Sequence, residues 1–299
     1  MNSFKLSITE KLVRITIYFI ISIFIATIIL PFIHIIALSL NEGIDTSKGG
    51  IALWPRVFTL KNYEEVFKDP YLLNSFKISI LRVIIGTPLS VFLTAMAAFA
   101  LKSKILPGRK FFTLIILFTM LFSGGIIPYY ILLKSLKLLN NFLVYIIPFF
   151  YSGWNTLLMR TFFSSIPKSL EDSAMIDGAN YFKIFLSIYL PLSKPIISVI
   201  ALFNGVTQWN DWFSGTFFVS QKSLHPLQTV LRAMLMSAEA MRKKMFITGF
   251  AALFGGRATV TSESLKMATI MIATIPIVCI YPFVQKYFVK GIMIGSIKE

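Results

Sequence analysis

Six long apolar runs constrain this chain more than anything else in it. They cover roughly residues 13–40, 78–101, 111–133, 142–163, 196–219 and 267–288. About 20 consecutive apolar residues cross a bilayer as a helix, and a helix satisfies its own backbone groups where no water can. The predicted fold is therefore all-α and integral to the membrane, with six transmembrane helices. Composition agrees: 56% of residues are hydrophobic and only 14% charged, whereas a soluble domain is nearer half apolar and a quarter charged. Pro31, Pro88, Pro128, Pro148 and Pro276 interrupt the runs, as neighbouring helices permit. The first run follows Lys5, Lys11 and Arg14 like a secretory signal. It outlasts a signal core of about 7–15 residues and has no small-residue cleavage site, so it is expected to stay as an anchor.

The formal charge is +16 and the pI is about 9.9. No basic and aromatic motif for nucleic acid accompanies it, and in a multi-spanning protein Lys and Arg fix orientation. Lys5, Lys11 and Arg14 precede span one, and Lys102, Lys104, Arg109 and Lys110 follow span two. Arg160, Lys168 and Lys183 follow span four, and Lys286, Lys290 and Lys298 close the chain. These regions alternate onto one side, which places both termini in the cytoplasm. The loop over 220–266 breaks the pattern, with Lys222, Arg232, Arg242, Lys243, Lys244, Arg257 and Lys266. It is long enough to obey the rule weakly, and a short helix is expected near 226–244. Arg82 and Lys77 are expected to snorkel to the outer surface. Gly124 and Gly125 are expected to allow close helix packing.

Catalytic chemistry has little to work with. Cys279 is the single cysteine, so no intramolecular disulfide or thiolate cluster can form, and His34 and His225 have no partner at metal spacing. No catalytic or metal site is expected. There is no GxxxxGK[ST] loop, so any ATP must be handled by another subunit.

The segment from Glu171 to Pro195 carries the sharpest functional signal. Pro167 can open a helix, Glu171 and Asp172 sit near its positive end, and Gly178 can take the left-handed conformation that ends it. Asn180 can cap a second helix, which Pro191 is expected to stop. Two short helices with a sharp turn between them suit docking into a cleft, with Ala174 and Ala179 small enough for close approach. Glu171, Ala174, Asp177, Gly178, Ala179, Phe185, Leu190, Pro191 and Pro195 closely resemble the coupling-loop pattern of bacterial ABC-importer permeases. Ser173 and Asp172 are mild departures from it.

The resemblance extends along the chain. Asn74-Ser75, Ala97-Ala98-Phe99-Ala100-Leu101, the run from Gln208 to Phe213, the run from His225 to Thr229 and Lys290-Gly291-Ile292 look like carbohydrate-importer permeases of the oligosaccharide and polysaccharide branch. That resemblance implies a type-1 transmembrane domain over 72–282. An N-terminal anchor helix and outer loop (1–71) would precede it, and a cytoplasmic tail (283–299) would follow. It implies a multi-pass subunit of the bacterial cytoplasmic membrane that binds no cofactor itself. ATP and Mg would act through two partner ATPases, beside a homologous second permease and an extracytoplasmic sugar-binding protein. Glu171, Ala174, Asp177, Gly178 and Ala179 would then couple to the ATPase.

Sugars are held by hydrogen-bonding side chains and flat aromatic faces, and polar residues at membrane depth are functional candidates. Asn204, Gln208, Trp209, Asn210, Asp211 and Trp212 in span five are therefore the pathway candidates, with Tyr151, Trp154 and Asn155 in span four. Span three offers Ser123, Tyr129 and Tyr130. An ion-coupled secondary sugar transporter is the alternative, with Asp211 as its intramembrane acid. The basic outer loop, with five Arg or Lys from Arg232 to Arg257 against Glu239, suits either an acidic sugar or the docking of an acidic binding protein.

Overall fold

A computed structural model describes residues 8–248 and 260–296 of the chain. Fourteen helices make up nearly all the regular structure of those residues: α1 (Ile8–Ser39), α2 (Gly43–Ser47), α3 (Lys61–Lys68), α4 (Pro70–Lys102), α5 (Arg109–Leu121), α6 (Ile126–Ser135), α7 (Gly153–Ser164), α8 (Lys168–Ile176), α9 (Tyr181–Ile184), α10 (Leu190–Leu192), α11 (Lys194–Asn210), α12 (Phe213–Phe218), α13 (Leu227–Thr248) and α14 (Ser262–Ser296). The helix expected near 226–244 is α13. Helix α14 runs unbroken through the boundary expected near 282. Arg257 and Lys298 lie outside the described residues, as do the side chains of Glu239, Arg242, Lys243, Lys244, Lys286 and Lys290.

Three helical stretches are long and apolar enough to cross a membrane singly: α1, α4 and Ser262–Pro282 of α14. The other three runs are not the single helices their hydropathy suggested. Helices α5 and α6 meet at 118°, Phe142–Phe149 meets α7 at 44°, and Tyr181–Leu192 meets α11 at 83°. Six spans result only if each bent pair is one span.

Local chemistry explains the bends. Between α5 and α6, Gly125 takes φ +82°, a conformation closed to most side chains. A Cβ on Gly124 would meet nothing nearer than Pro128 at 3.9 Å. The glycine pair therefore makes a turn and not the close helix packing expected of it. Between α10 and α11, Pro191 and Pro195 flank Ser193, where the backbone leaves the helix. Pro191 does not itself stop the second helix: a π-helical stretch over Phe185–Tyr189 precedes it, and the helix continues to Leu192.

The described residues form two compact units. The first takes the residues up to Asp69 with Met234–Thr274, and the second takes Pro70–Ala233 with the residues from Ile275 onward. In the first unit, Ala37, Leu38 and Ile51 pack with Met267. Its loop after α1 is a polar knot in which Asn41 donates to Asp45 at 3.1 Å and Arg56 pairs with Asp45 at 3.0 Å. The Asn41 bond, and then the Arg56 charge, hold the Asp45 carboxyl below its usual range against the opposing effect of burial. None of the most apolar 18-residue window of α1 is buried within the structure, as a lipid-facing helix requires.

The second unit is built around α4, which packs on α7 and α11. Val91, Ala95 and Ala98 of α4 meet Met159, Phe163, Phe185, Tyr189 and Ile200 in one core. A second core joins Ile78 to Leu133, Val144, Tyr145 and Phe218. The segment before α13 is stitched to α4 by polar bonds: Leu227 N–H donates to Ser79 Oγ at 2.8 Å, and His225 meets Tyr71 at 3.0 Å.

Candidate functional site

The loop between α7 and α11 folds as its turn residues dictate. Pro167 sits at the cap of α8, Gly178 takes φ +76°, and Asn180 Oδ1 accepts from Lys183 N–H at 2.8 Å to open α9. Ala174 and Ala179 pack inward against the α4–α7–α11 core. Leu170, Met175, Ile176, Tyr181 and Phe182 point outward, with Ile176 86% exposed. An otherwise polar loop thus presents an apolar face.

Glu171 is the exception among the acids of this loop, because it is buried. Its carboxylate pairs with Lys102 at the end of α4, and Tyr189 Oη donates to it at 2.9 Å. Lys102 also bonds the Tyr189 hydroxyl and lies over its ring. Burial alone would raise the Glu171 carboxyl. Hydrogen bonds from Lys102 and Tyr189, with the Lys102 charge, outweigh it and hold the carboxyl below its ordinary value near 4.5. Glu171 therefore clamps α8 onto α4, while Asp172, Asp177 and Gly178 stay exposed. Lys102 and Tyr189 were not among the candidates. In the sequence Lys102 reads only as an orienting charge, because its partners lie far along the chain.

The span-five candidates divide into separate settings. Arg82 does not snorkel outward: its side chain is fully buried. It donates to Gln208 Oε1 at 3.0 Å, to the Asp211 carbonyl at 3.0 Å and to Asp211 Oδ2 at 2.7 Å. Its guanidinium also lies 4.6 Å from the Tyr145 ring centroid. Burial of the charge is offset because each of these acceptors replaces a bond to water and Asp211 supplies the counter-charge. Asp211 Oδ1 accepts from Ser214 N–H at the start of α12, and Gln208 donates to the Tyr145 carbonyl. A Cβ on Gly86 would stand 2.8 Å from Gln208 Nε2, so glycine there makes room for the network.

Trp209 is buried, packs edge-on to Phe76 and lines an apolar cavity of about 530 Å³ with Thr87, Gly205 and Pro276. Asn155 donates to Asn204 Oδ1 at 3.3 Å, and the buried Asn204 Nδ2 has no partner among the described residues. Asn210 is exposed and accepts from Gln228 at 3.5 Å. Trp212 lies beneath the guanidinium of Arg232. Tyr151 and Trp154 are exposed, and Tyr129 and Tyr130 pack on Phe218. No group of three or more His, Cys, Asp or Glu able to hold a metal occurs among the described residues.

Residues 89–294 match the family described as binding-protein-dependent transport system inner membrane component. The chain is 36% identical over 289 residues to the polygalacturonan/rhamnogalacturonan transport system permease protein YtcP of Bacillus subtilis, covering 97% of this chain and 99% of YtcP. It is 37% identical over 273 residues to protein LplC of the same organism, covering 91% and 90%. A chain from the crystal structure of a bacterial ABC transporter that imports the acidic polysaccharide alginate superposes with a TM-score of 0.85 at 29% identity, covering 96% of this chain and all of that one.

Proposed function

The chain belongs to the binding-protein-dependent inner membrane transport components, and from that premise we propose that it is the permease subunit through which an acidic oligosaccharide enters the cell. It is a transport subunit with a type-1 ABC permease fold. The partners in this reading are a homologous second permease, two ATPases and an extracytoplasmic sugar-binding protein. ATP and Mg belong to the ATPases. The type-1 domain covers about 72–282, and both termini are cytoplasmic.

The observation that carries the reading is the α8–α9 loop. It is fixed to the α4 core by Glu171 and Lys102, yet offers Met175, Ile176, Tyr181 and Phe182 to a partner. An exposed apolar face on a clamped loop can pass a push from an ATPase into α4 and α11. Asp172, Asp177 and Gly178 border that face.

The acidic character of the cargo is supported by the polygalacturonan, rhamnogalacturonan and alginate relatives. Asp211 does not oppose it, since the Arg82 charge offsets that carboxylate. The same pairing weakens the ion-coupled alternative, whose coupling acid would be Asp211. Asn204, whose buried Nδ2 has no partner among the described residues, is a donor that a passing sugar hydroxyl can satisfy.

Reconstituted vesicles holding the whole transporter provide the test. A binding protein loaded with a uronate oligosaccharide should stimulate ATP hydrolysis, and the same protein loaded with a neutral sugar of equal length should do so less. Equal stimulation refutes the acidic cargo. For topology, single cysteines at Ser47 and Ser237 should react with impermeant reagents in intact cells, and one at Gly178 should not. Outside labelling at 178 would reverse the orientation.

A further inference from the structure

Arg232 stands on α13 with its guanidinium carbon 3.4 Å from the centroid of the Trp212 ring. It is half-buried, and no carboxylate lies within ion-pair distance of it among the described residues. Arg82 and Lys102 in the same unit differ, since each holds an acid. A guanidinium partly withdrawn from water without a counter-charge is an anion site in waiting.

Its support is rigid. The Trp212 carbonyl accepts from Thr229 Oγ1 at 3.1 Å, and the preceding residue, Asp211, is held by Arg82. Cation–π contact keeps the guanidinium over the indole, so its N–H groups need no rearrangement to receive a ligand. Gln228 lies one turn earlier on the same face of α13 and donates to the exposed Asn210, so two amides meet one turn from Arg232.

We propose that Arg232, propped on Trp212 and flanked by Asn210 and Gln228, binds the carboxylate of a uronate unit in the passing oligosaccharide. The planar guanidinium can take both carboxylate oxygens at once, and the amides can take ring hydroxyls. Trp212 is a positioning residue in this site. The proposal rests on the acidic-cargo reading and adds to it the group that recognises the acid.

The assembled transporter complex in detergent, without binding protein, is titrated with trigalacturonate and with its fully methyl-esterified form, which keeps the length and loses the charge. The wild type should prefer the acid, and added salt should shrink that preference. R232Q should bind trigalacturonate about tenfold more weakly, the loss expected for one charge-assisted contact, and bind the ester as before. R232K should fall between them, and W212F should outperform W212A on the acid.

Three results would overturn the site: R232Q binding trigalacturonate like the wild type, losing both sugars alike, or weakening only the capture of sugar-free binding protein. The last would assign Arg232 to protein docking. Any of these, alongside wild-type uptake of trigalacturonate, leaves the acidic-cargo reading standing. A wild-type complex that neither binds nor imports trigalacturonate removes both.

Discussion

Helix α4 buries two cations, Arg82 and Lys102, about 30 Å apart at the helical rise of ~1.5 Å per residue, and they are held in contrasting ways. Arg82 has no exposed surface and meets acceptors from Gln208 and Asp211 together with the ring of Tyr145. Lys102 keeps 14% of its side chain exposed and meets Glu171 and Tyr189 at the edge of the exposed loop. A sealed pair cannot open without stranding a charge, so it defines the fold. A pair at a margin can be loosened by whatever docks beside it, which is what the proposed coupling role asks of it. The two differ less in composition than in how much water can reach them.

The largest effect should come from breaking the sealed pair. R82A strands the Asp211 carboxylate and should cost about 3–5 kcal/mol, read as a fall in the detergent unfolding midpoint. R82A/D211N removes both charges and should recover part of the loss. An R82A protein as stable as the wild type would erase the distinction between the two cations.

Next in size is G178V. A β-branched residue at φ +76° carries a strain of about 1–3 kcal/mol, and the loop that Glu171 anchors can relieve it only by changing shape. Insertion and the α4–α11 core should survive, while uptake and sugar-stimulated ATP hydrolysis are lost. Normal uptake by G178V would show that the margin carries no signal.

The smallest effect sharpens the contrast through pH. A carboxyl with a depressed folded-state pKa stabilises the protein above its unfolded pKa and loses that contribution as pH falls through the folded value. The Glu171 clamp should therefore be complete above about pH 4.5 and weaken below it. Hydrogen exchange in α8 should rise there in the wild type. K102M should show raised exchange already at neutral pH, consistent with about 1–2 kcal/mol of local stability, and little further change on acidification.

What could be read from the chain follows the range of the interactions. Gly178 and Asn180 act within a few residues, so α8, the turn and the cap of α9 were readable one residue at a time. The apolar runs were readable because length is a local sum. Direction is not: hydropathy registers how much apolar chain is present and is blind to the turn at Gly125 or the break at Ser193. Two adjacent glycines followed by Pro128 were the available cue for the first bend. Arg82 reads as a snorkelling side chain because its partners, Gln208 and Asp211, lie 126 and 129 residues further along, and no pattern near Arg82 distinguishes a buried arginine from one that reaches water. Arg232 and Trp212 share that difficulty.

The π-helical stretch over Phe185–Tyr189 works as a phase shifter. One residue more per turn rotates everything downstream by roughly 100° relative to an unbroken α-helix. Tyr189 faces Glu171 and Lys102, and α11 departs in its observed direction, only with that extra residue in place. The spacing of this loop is therefore constrained in angle more tightly than in length. A one-residue deletion between 185 and 188 would shorten the segment by only about 1.5 Å, yet turn the Tyr189 hydroxyl away from the clamp and re-aim the span behind it. A substitution here acts at one position, whereas an insertion or deletion re-aims all of α11.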